Sequence, residues 1–303
     1  MVELLQALSE EAAYINAEVI PWVLRLVMVG LGLSLAPADF KRVIVFPKAV
    51  TIGLLAQLAG LPAAAFGLSL LFGAPPAIAV GLVILAACPS GVTANAYTFA
   101  SRADVPLCVT LSAITSVVTV FTIPFFIDLA FDLFFGEGAV TQISPTGMLV
   151  SLATFTLVPL SIGMIFRFFF PQPAERAVEP VRKLVLYLML FVLLLGIISS
   201  YEDLLAHFMT AGPLVIVMTL VTMGFGYGAA KVFNLPMPQV VTITFEVGVQ
   251  NLALAFAITF NILQRPDLAV AALIYAVIMP AAALGFVAVA RRLLVGEGEV
   301  AEV

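Results

Sequence analysis

Almost the whole chain is written as apolar runs of membrane-crossing length, joined by connections too short to hold a polar domain. Of its 303 residues 63% are hydrophobic and only 10% charged, against about 25% charged in a soluble domain. So few charges cannot cover a water-facing surface. Lipid is the solvent that fits, because a helix of about 20 apolar residues satisfies its own backbone while crossing. The net charge of −5 must sit mainly in the connections, and no basic patch points to nucleic acid. Cys88 and Cys108 fall within apolar runs and read as small buried hydrophobes, neither a disulfide nor a metal pair. Residues 1–18 hold Glu3, Glu10, Glu11 and Glu18 without a Lys or Arg. They lack the positive start of a signal peptide and read as an amphipathic or disordered lead-in. In the tail 294–303 the acidic stretch Gly296 to Val303 reads as disordered.

The runs divide into nine expected spans, at about 19–37, 46–72, 76–101, 105–133, 146–170, 181–200, 209–232, 238–263 and 267–293. With nine spans, alternate connections share a side. One set holds Lys41, Arg42, Lys48, Arg102, Arg176, Arg182, Lys183, Lys231, Arg291 and Arg292. The other has Arg265 and otherwise acids: Glu3, Glu10, Glu11, Glu137, Glu202 and Asp203. Lys and Arg favour the cytoplasm, so the N-terminus is expected outside and the C-terminus inside. Arg167, near the cytoplasmic end of its span, and Arg25, inside the first, stand apart. Arg25 either snorkels to the outer interface beside Trp22 or serves a substrate gate.

Two spans are interrupted by polar residues. The third meets Pro89-Ser90-Gly91-Val92-Thr93-Ala94-Asn95, and the eighth meets Glu246-Val247-Gly248-Val249-Gln250-Asn251. Pro removes a backbone donor and Gly loosens the helix. A carboxylate at the bilayer centre costs about 2.5–3.5 kcal/mol on insertion scales, and a bound cation is the expected compensation. The breaks also correspond. Each has an Asn, then a short turn with an Asp (Asp104, Asp267), then a long helix with an internal Pro (Pro124, Pro280). Spans two to four and seven to nine therefore read as two copies of one unit in opposite directions, the inverted repeat of secondary transporters. Broken ends expose carbonyl oxygens, which with Glu246, Gln250 and Gln57 suit sodium, and N–H groups that suit a carboxylate.

At these residues the chain resembles the bile acid:sodium symporter family. Cys88-Pro-Ser-Gly-Val-Thr-Ala-Asn95 is similar to its first crossover, and Glu246-Val-Gly-Val-Gln-Asn251 to its second. Gln57, Ile20-Pro21-Trp22, Gly30-Leu-Gly32 and Pro47-Lys48 add to the likeness, which runs over about 19–293. The resemblance implies an all-α membrane protein with two crossed broken helices. A panel would comprise about 19–37 and 146–200, and a core about 46–133 and 209–293. It implies two sodium ions per anion. The second sodium site falls on Gln57, Glu246, Val247, Val249 and Gln250, the two valines through their carbonyls. The first falls on Ala94, Asn95, Cys108, Ser112 and Glu246, where Ala94 and Cys108 replace serines. Thr93, Thr115 or water are candidates for the lost hydroxyls. The anion would sit by Thr93, Asn95 and Asn251.

Plainer roles stand beside these. Glu246 as a neutral buried acid would suit proton coupling. Gln57 alone would be a helix-packing hydrogen bond, and Gly224 with Gly228 a small-residue helix contact. Cys108 alone is packing. Ser112, Thr115, Ser116 and Thr119 lie at helical spacing for back-bonding. His207 reads as solvated, and Asp128 and Asp132 as interfacial. No zinc motif or Ser–His pair suggests an enzyme. The function expected is alternating-access symport of sodium with a small organic anion, bile-acid-like or a small carboxylate such as pantoate. A proton-coupled carrier, or an exporter such as a metalloid carrier using Cys88, is the alternative. No cofactor beyond the coupling ions and no oligomer is required, and a bacterial inner membrane suits the short loops.

Overall fold

A computed structural model describes residues 2–35, 45–136, 144–199 and 201–301. Lys41, Arg42 and Glu137 lie outside the described residues, as do the side chains of Glu3, Glu10, Glu11, Arg182 and Asp203. The described chain is helical, and its one β-type pairing outside the helices is an isolated bridge. In order the helices are α1 (Val2–Ser34), α2 (Pro47–Leu71), α3 (Pro76–Ala87), α4 (Val92–Ala100) and α5 (Val105–Phe135). α6 begins at Pro145–Leu152, widens to a π-turn over Ala153–Leu157 and continues through Val158–Phe169. Then come α7 (Pro171–Ser199), α8 (Tyr201–Val232), α9 (Met237–Gly248), α10 (Leu252–Phe256, extended by a π-segment Ala257–Ile262) and α11 (Val270–Ala301).

Prolines sit at the first turns of α2, α3, α5, α6 and α9, where a missing N–H is harmless. Side chains cap others: Asp104 accepts from the Leu107 N–H at 3.1 Å and Ser144 from the Gly147 N–H at 3.1 Å. Among the described residues six helices are long and apolar enough to cross a membrane: α2, α5, α6, α7, α8 and α11. The expected third and eighth spans are each two shorter helices, α3 with α4 and α9 with α10.

The C-terminal end differs from expectation, and the N-terminal stretch takes a definite form. α1 runs unbroken from Val2, so residues 2–18 are helix continuous with the first span. Glu, Leu and Ala, all good helix formers, dominate that stretch. α11 likewise continues to Ala301 through the tail expected as disordered, where Gly296 and Gly298 weaken a helix without stopping it.

α1 packs chiefly against α6 and α7, and α8 against α9 and α11. The α1–α6 crossing is a glycine contact. A Cβ on Gly32 would strike the Leu160 carbonyl oxygen, and one on Gly163 the Val29 carbonyl oxygen. Arg167 donates to the Leu33 carbonyl at 2.9 Å and so caps the end of α1, which accounts for a charge this deep. Arg25 lies over the rings of Trp22 at 4.7 Å and Phe155 at 5.1 Å. The expected contact of Gly224 with Gly228 is not made, since a Cβ at either would meet nothing within 4 Å. Gly226, on another face of the same helix, is the close approach: a Cβ there would stand 3.0 Å from the Ile243 carbonyl of α9. The spacing identified the helix and misassigned the buried face.

Candidate functional site

α3 ends at Ala87, and Cys88 turns extended (φ −66°, ψ 149°). The chain passes Pro89 to Gly91 and restarts as α4. α9 ends at Gly248, Val249 is extended (φ −126°, ψ 111°), and the Asn251 side chain caps α10 by accepting from the Leu254 N–H at 3.1 Å. The two breaks meet. The Asn251 N–H donates to the Pro89 carbonyl at 2.9 Å, and Ser90 and Gln250 form an antiparallel bridge. α4 packs on α9, and α3 on α10.

Two polar clusters flank this junction. In the first, Glu246 is wholly buried and accepts from the Ser90 hydroxyl, from Ser112 at 3.1 and 3.2 Å, and from the Cys108 thiol at 3.2 Å. Ser90 and Ser112 are themselves 2.8 Å apart, and Thr98 donates to Cys108 at 3.4 Å. Among the described residues every group that bonds Glu246 is neutral. In the second, Gln57 sits in a π-turn of α2 (Ala56–Gly60), a widened turn of the kind found at functional sites. Its amide nitrogen donates to the Cys88 carbonyl at 3.1 Å and to Gln250 Oε1 at 2.9 Å. Gln250 donates to the Val247 carbonyl at 2.8 Å. Tyr275 of α11 donates to the Gly248 carbonyl at 2.6 Å.

Three buried polar atoms around the junction lack a hydrogen-bond partner: Gln57 Oε1, Asn95 Oδ1 and Asn251 Nδ2. Buried polar groups are nearly always paired, so a ligand is the economical partner for such a group. Gln57 Oε1 belongs to the amide whose nitrogen holds the Cys88 carbonyl and Gln250 Oε1, so hard oxygens of the kind a sodium ion takes collect around this amide.

The structure brings Gln57, Gln250 and Val247 together, and Glu246 with Ser112 and Cys108. Val249 is buried at the break itself. Ala94 is buried and brings no polar side chain. Neither candidate replacement hydroxyl reaches Glu246: Thr115 bonds the Ser112 carbonyl at 3.2 Å, and Thr93 is exposed on the cavity described next. Besides Ser112, the hydroxyl at Glu246 is that of Ser90, to which the sequence analysis gave no role. Tyr275 was also missed. Its position in a featureless apolar run gave no signal.

A cavity of about 670 Å³ opens beside the junction. Gly91, Thr93, Gln250 and Asn251 line one side; Val27 of α1 and Leu186, Leu190 and Leu193 of α7 line another. Thr93 and Asn251 thus share it. Asn95, the third expected anion contact, is not among its lining residues.

The family model described as Sodium Bile acid symporter family matches residues 21–208, which include Gln57, the first break and Ser112. The chain is 28% identical over 239 residues to the uncharacterized sodium-dependent transporter YocS of Bacillus subtilis (strain 168), covering 78% of this chain and 71% of that one. It is 25% identical over 124 residues to the probable chloroplastic sodium/metabolite cotransporter BASS1 of Oryza sativa subsp. japonica, covering 41% of this chain and 29% of that one. The Arabidopsis thaliana protein of the same description is 28% identical over 101 residues, or 33% and 25% of the two chains.

Proposed function

The chain belongs to the Sodium Bile acid symporter family, and from that premise we propose that it couples the inward movement of sodium to that of a small organic anion by alternating access. The observation that carries this reading is the pairing of a wholly buried Glu246, held among the described residues by neutral donors, with the unpartnered Gln57 oxygen across the same junction. Sodium bound at Gln57, Gln250, Glu246 and the Val247 and Val249 carbonyls balances the carboxylate and fixes the two breaks. The weaker first site uses Asn95, Ser112 and Glu246, with Ser90 in place of the hydroxyls that Ala94 and Cys108 lack. The anion occupies the cavity against Thr93 and Asn251, with Asn95 behind it. Sodium and anion are coupled because both favour the same state of the junction.

In this reading nine spans cross the membrane, α3–α4 and α9–α10 being the two that cross each other. α1, α6 and α7 form the panel and the remaining helices the core. Three contacts support the alternation of ends. Asp104 N–H reaches the Pro238 carbonyl at 3.4 Å, Arg291 caps α4 through the Ala100 carbonyl at 2.8 Å, and at the opposite end Arg265 lies over the Phe135 ring at 5.2 Å. The first group is assigned to the cytoplasm of a bacterial inner membrane by its Lys and Arg excess.

The test is uptake of labelled pantoate, pyruvate and taurocholate into proteoliposomes under a sodium gradient, a proton gradient or neither, with wild type and Glu246→Gln. Sodium-driven uptake lost in Glu246→Gln is the expected result. Proton-driven uptake indifferent to sodium would replace sodium by proton coupling. No uptake under any gradient would favour an exporter, and loss of export in Cys88→Ser would then favour a thiol-reactive cargo.

A further inference from the structure

A separate cavity of about 530 Å³ lies between α2 and α8. Its α8 wall is Phe225, Ala229 and Phe233, which follow at helical spacing on one face. Phe225 and Phe233 are exposed, and exposed aromatic side chains on a membrane-spanning helix mark a surface that meets lipid. On the α2 wall Lys48 and Thr51 stand one turn apart at one end of the cavity, and Gly60 lies at the other. Along α2 the distance from Lys48 to Gly60 is about 18 Å at 1.5 Å per residue. That is close to one leaflet, half of a hydrocarbon core of about 30 Å. Lys48 is exposed, and among the described residues it enters no salt bridge and no acidic side chain lines the cavity beside it. The first turn of α2 has no side-chain cap, which leaves its positive end open to an anion. At the other end a Cβ on Gly60 would lie 2.2 Å from the Phe225 ring. The ring therefore closes on the backbone of the π-turn Ala56–Gly60, which carries Gln57.

We propose that this groove holds an anionic phospholipid, its phosphate at Lys48 and Thr51 and one acyl chain along α8 as far as Gly60, and that the bound lipid raises sodium affinity through the π-turn. The second part rests on the reading of Gln57 as a sodium ligand. An apolar groove one leaflet long with a lone cation at its end is the complement of such a lipid. The phosphate meets the ammonium and the open end of α2, and the chain covers apolar surface. A zwitterionic lipid fills the groove equally well but brings no net charge to Lys48. The chain packs where Phe225 meets the π-turn and so holds that turn in the shape that presents Gln57. Lipid and sodium then favour the same state, and each strengthens the binding of the other.

The experiment uses the full chain, delipidated in a nonionic detergent. Native mass spectrometry measures binding of dioleoylphosphatidylglycerol against dioleoylphosphatidylcholine, and melting curves across a sodium titration measure sodium affinity in each lipid. Wild type is expected to prefer phosphatidylglycerol. Lys48→Gln weakens that binding about fivefold, the effect of one lysine at an anionic lipid surface. Ala229→Phe, which fills the groove and leaves Lys48 in place, also weakens it. Lys231→Gln, near the same end of α8 but outside the groove, does not. Phosphatidylglycerol lowers the sodium needed for half of the melting shift in wild type and not in Lys48→Gln. Equal binding of the two lipids, or an equal loss in Lys231→Gln, overturns the lipid site. Competition by glycerophosphoglycerol, which has the headgroup without the chains, would make it a phosphate site and overturn it too. So would a dimer that Ala229→Phe breaks, since a second copy would then fill the groove. Selective lipid binding with an unchanged sodium response overturns the link to the π-turn. No sodium response in any lipid overturns the sodium reading of Gln57 and that link with it, while the lipid site is still decided by the mass spectra.

Discussion

The backbone N–H of Asn251 donates to the carbonyl oxygen of Pro89 at 2.9 Å, so the two helix breaks are fastened directly to each other. Inside a bilayer, backbone groups released by a break have no water to bond. Here each break supplies a partner to the other, and the Ser90–Gln250 bridge continues the pairing. A Cβ at Gly91 would stand 3.9 Å from the Asn251 Cβ, inside the range of about 3.5–4.5 Å that a disulfide spans. Gly91→Cys with Asn251→Cys should therefore oxidise to an intramolecular bridge. Maleimide labelling of the denatured protein reads it as two thiols lost on oxidation and regained on reduction. Four free thiols after oxidation, the native Cys88 and Cys108 included, would show that the breaks do not meet in this way.

Ser90 is predicted to matter more than Cys108, although both donate to Glu246. Ser90→Ala removes the hydroxyl that bridges Glu246 and Ser112 and should lower stability by about 1.5–3 kcal/mol, as for the loss of one hydrogen bond to a charged group. Cys108→Ser exchanges a weak donor for a stronger one and should leave the melting temperature unchanged or raise it. Scanning fluorimetry in detergent checks both signs. A wild-type melting temperature for Ser90→Ala would remove Ser90 from the cluster.

Much of this junction was legible in the sequence because membrane burial makes polar residues conspicuous. Glu246, Gln57 and Gln250 stand out in apolar runs, and Pro89 and Gly248 mark where the helices stop. Pattern could not give the partners. Ser90 looked like one small residue among several until the bridge to Gln250 carried it against Glu246. Tyr275 resembles any interfacial aromatic until its hydroxyl is found on the Gly248 carbonyl. Thr93 and Thr115 were reasonable substitutes for missing hydroxyls by spacing, but helix phase turns one to the cavity and the other to its own backbone. At the C-terminal end, composition suggested a loose segment where an unbroken ladder continues α11.

Gln57 should control sodium affinity through a folded-state effect. Gln57→Ala leaves the Cys88 carbonyl and Gln250 Oε1 without their donor and removes the unpartnered oxygen. In wild type, replacing choline by sodium should raise stability as RT ln(1 + [Na]/Kd), about 2.7 kcal/mol at 100 times Kd. In Gln57→Ala the sodium needed for half of that effect should rise about tenfold, the equivalent of about 1.4 kcal/mol. Melting curves across a sodium titration at constant ionic strength measure it. An identical sodium response in both proteins would place sodium away from Gln57.

The glycines of α8 separate packing from mere smallness. Gly226 is buried against α9, the helix that carries Glu246, and a Cβ there would lie 3.0 Å from both the Ile243 carbonyl and the Val247 Cβ. Gly226→Leu must push α9 away, at a cost of about 1–3 kcal/mol for overpacking. Because Val247 adjoins Glu246, the same shift should weaken sodium binding. Gly224 and Gly228 have nothing within reach of an added Cβ. Gly224→Ala and Gly228→Ala should each be neutral or gain about 0.5–1 kcal/mol, the helix-propensity difference between the residues. The monodisperse fraction on size exclusion and the sodium-dependent melting shift give the comparison. A loss in the alanine variants as large as in Gly226→Leu would mean that another surface, such as a second copy of the chain, packs on that face.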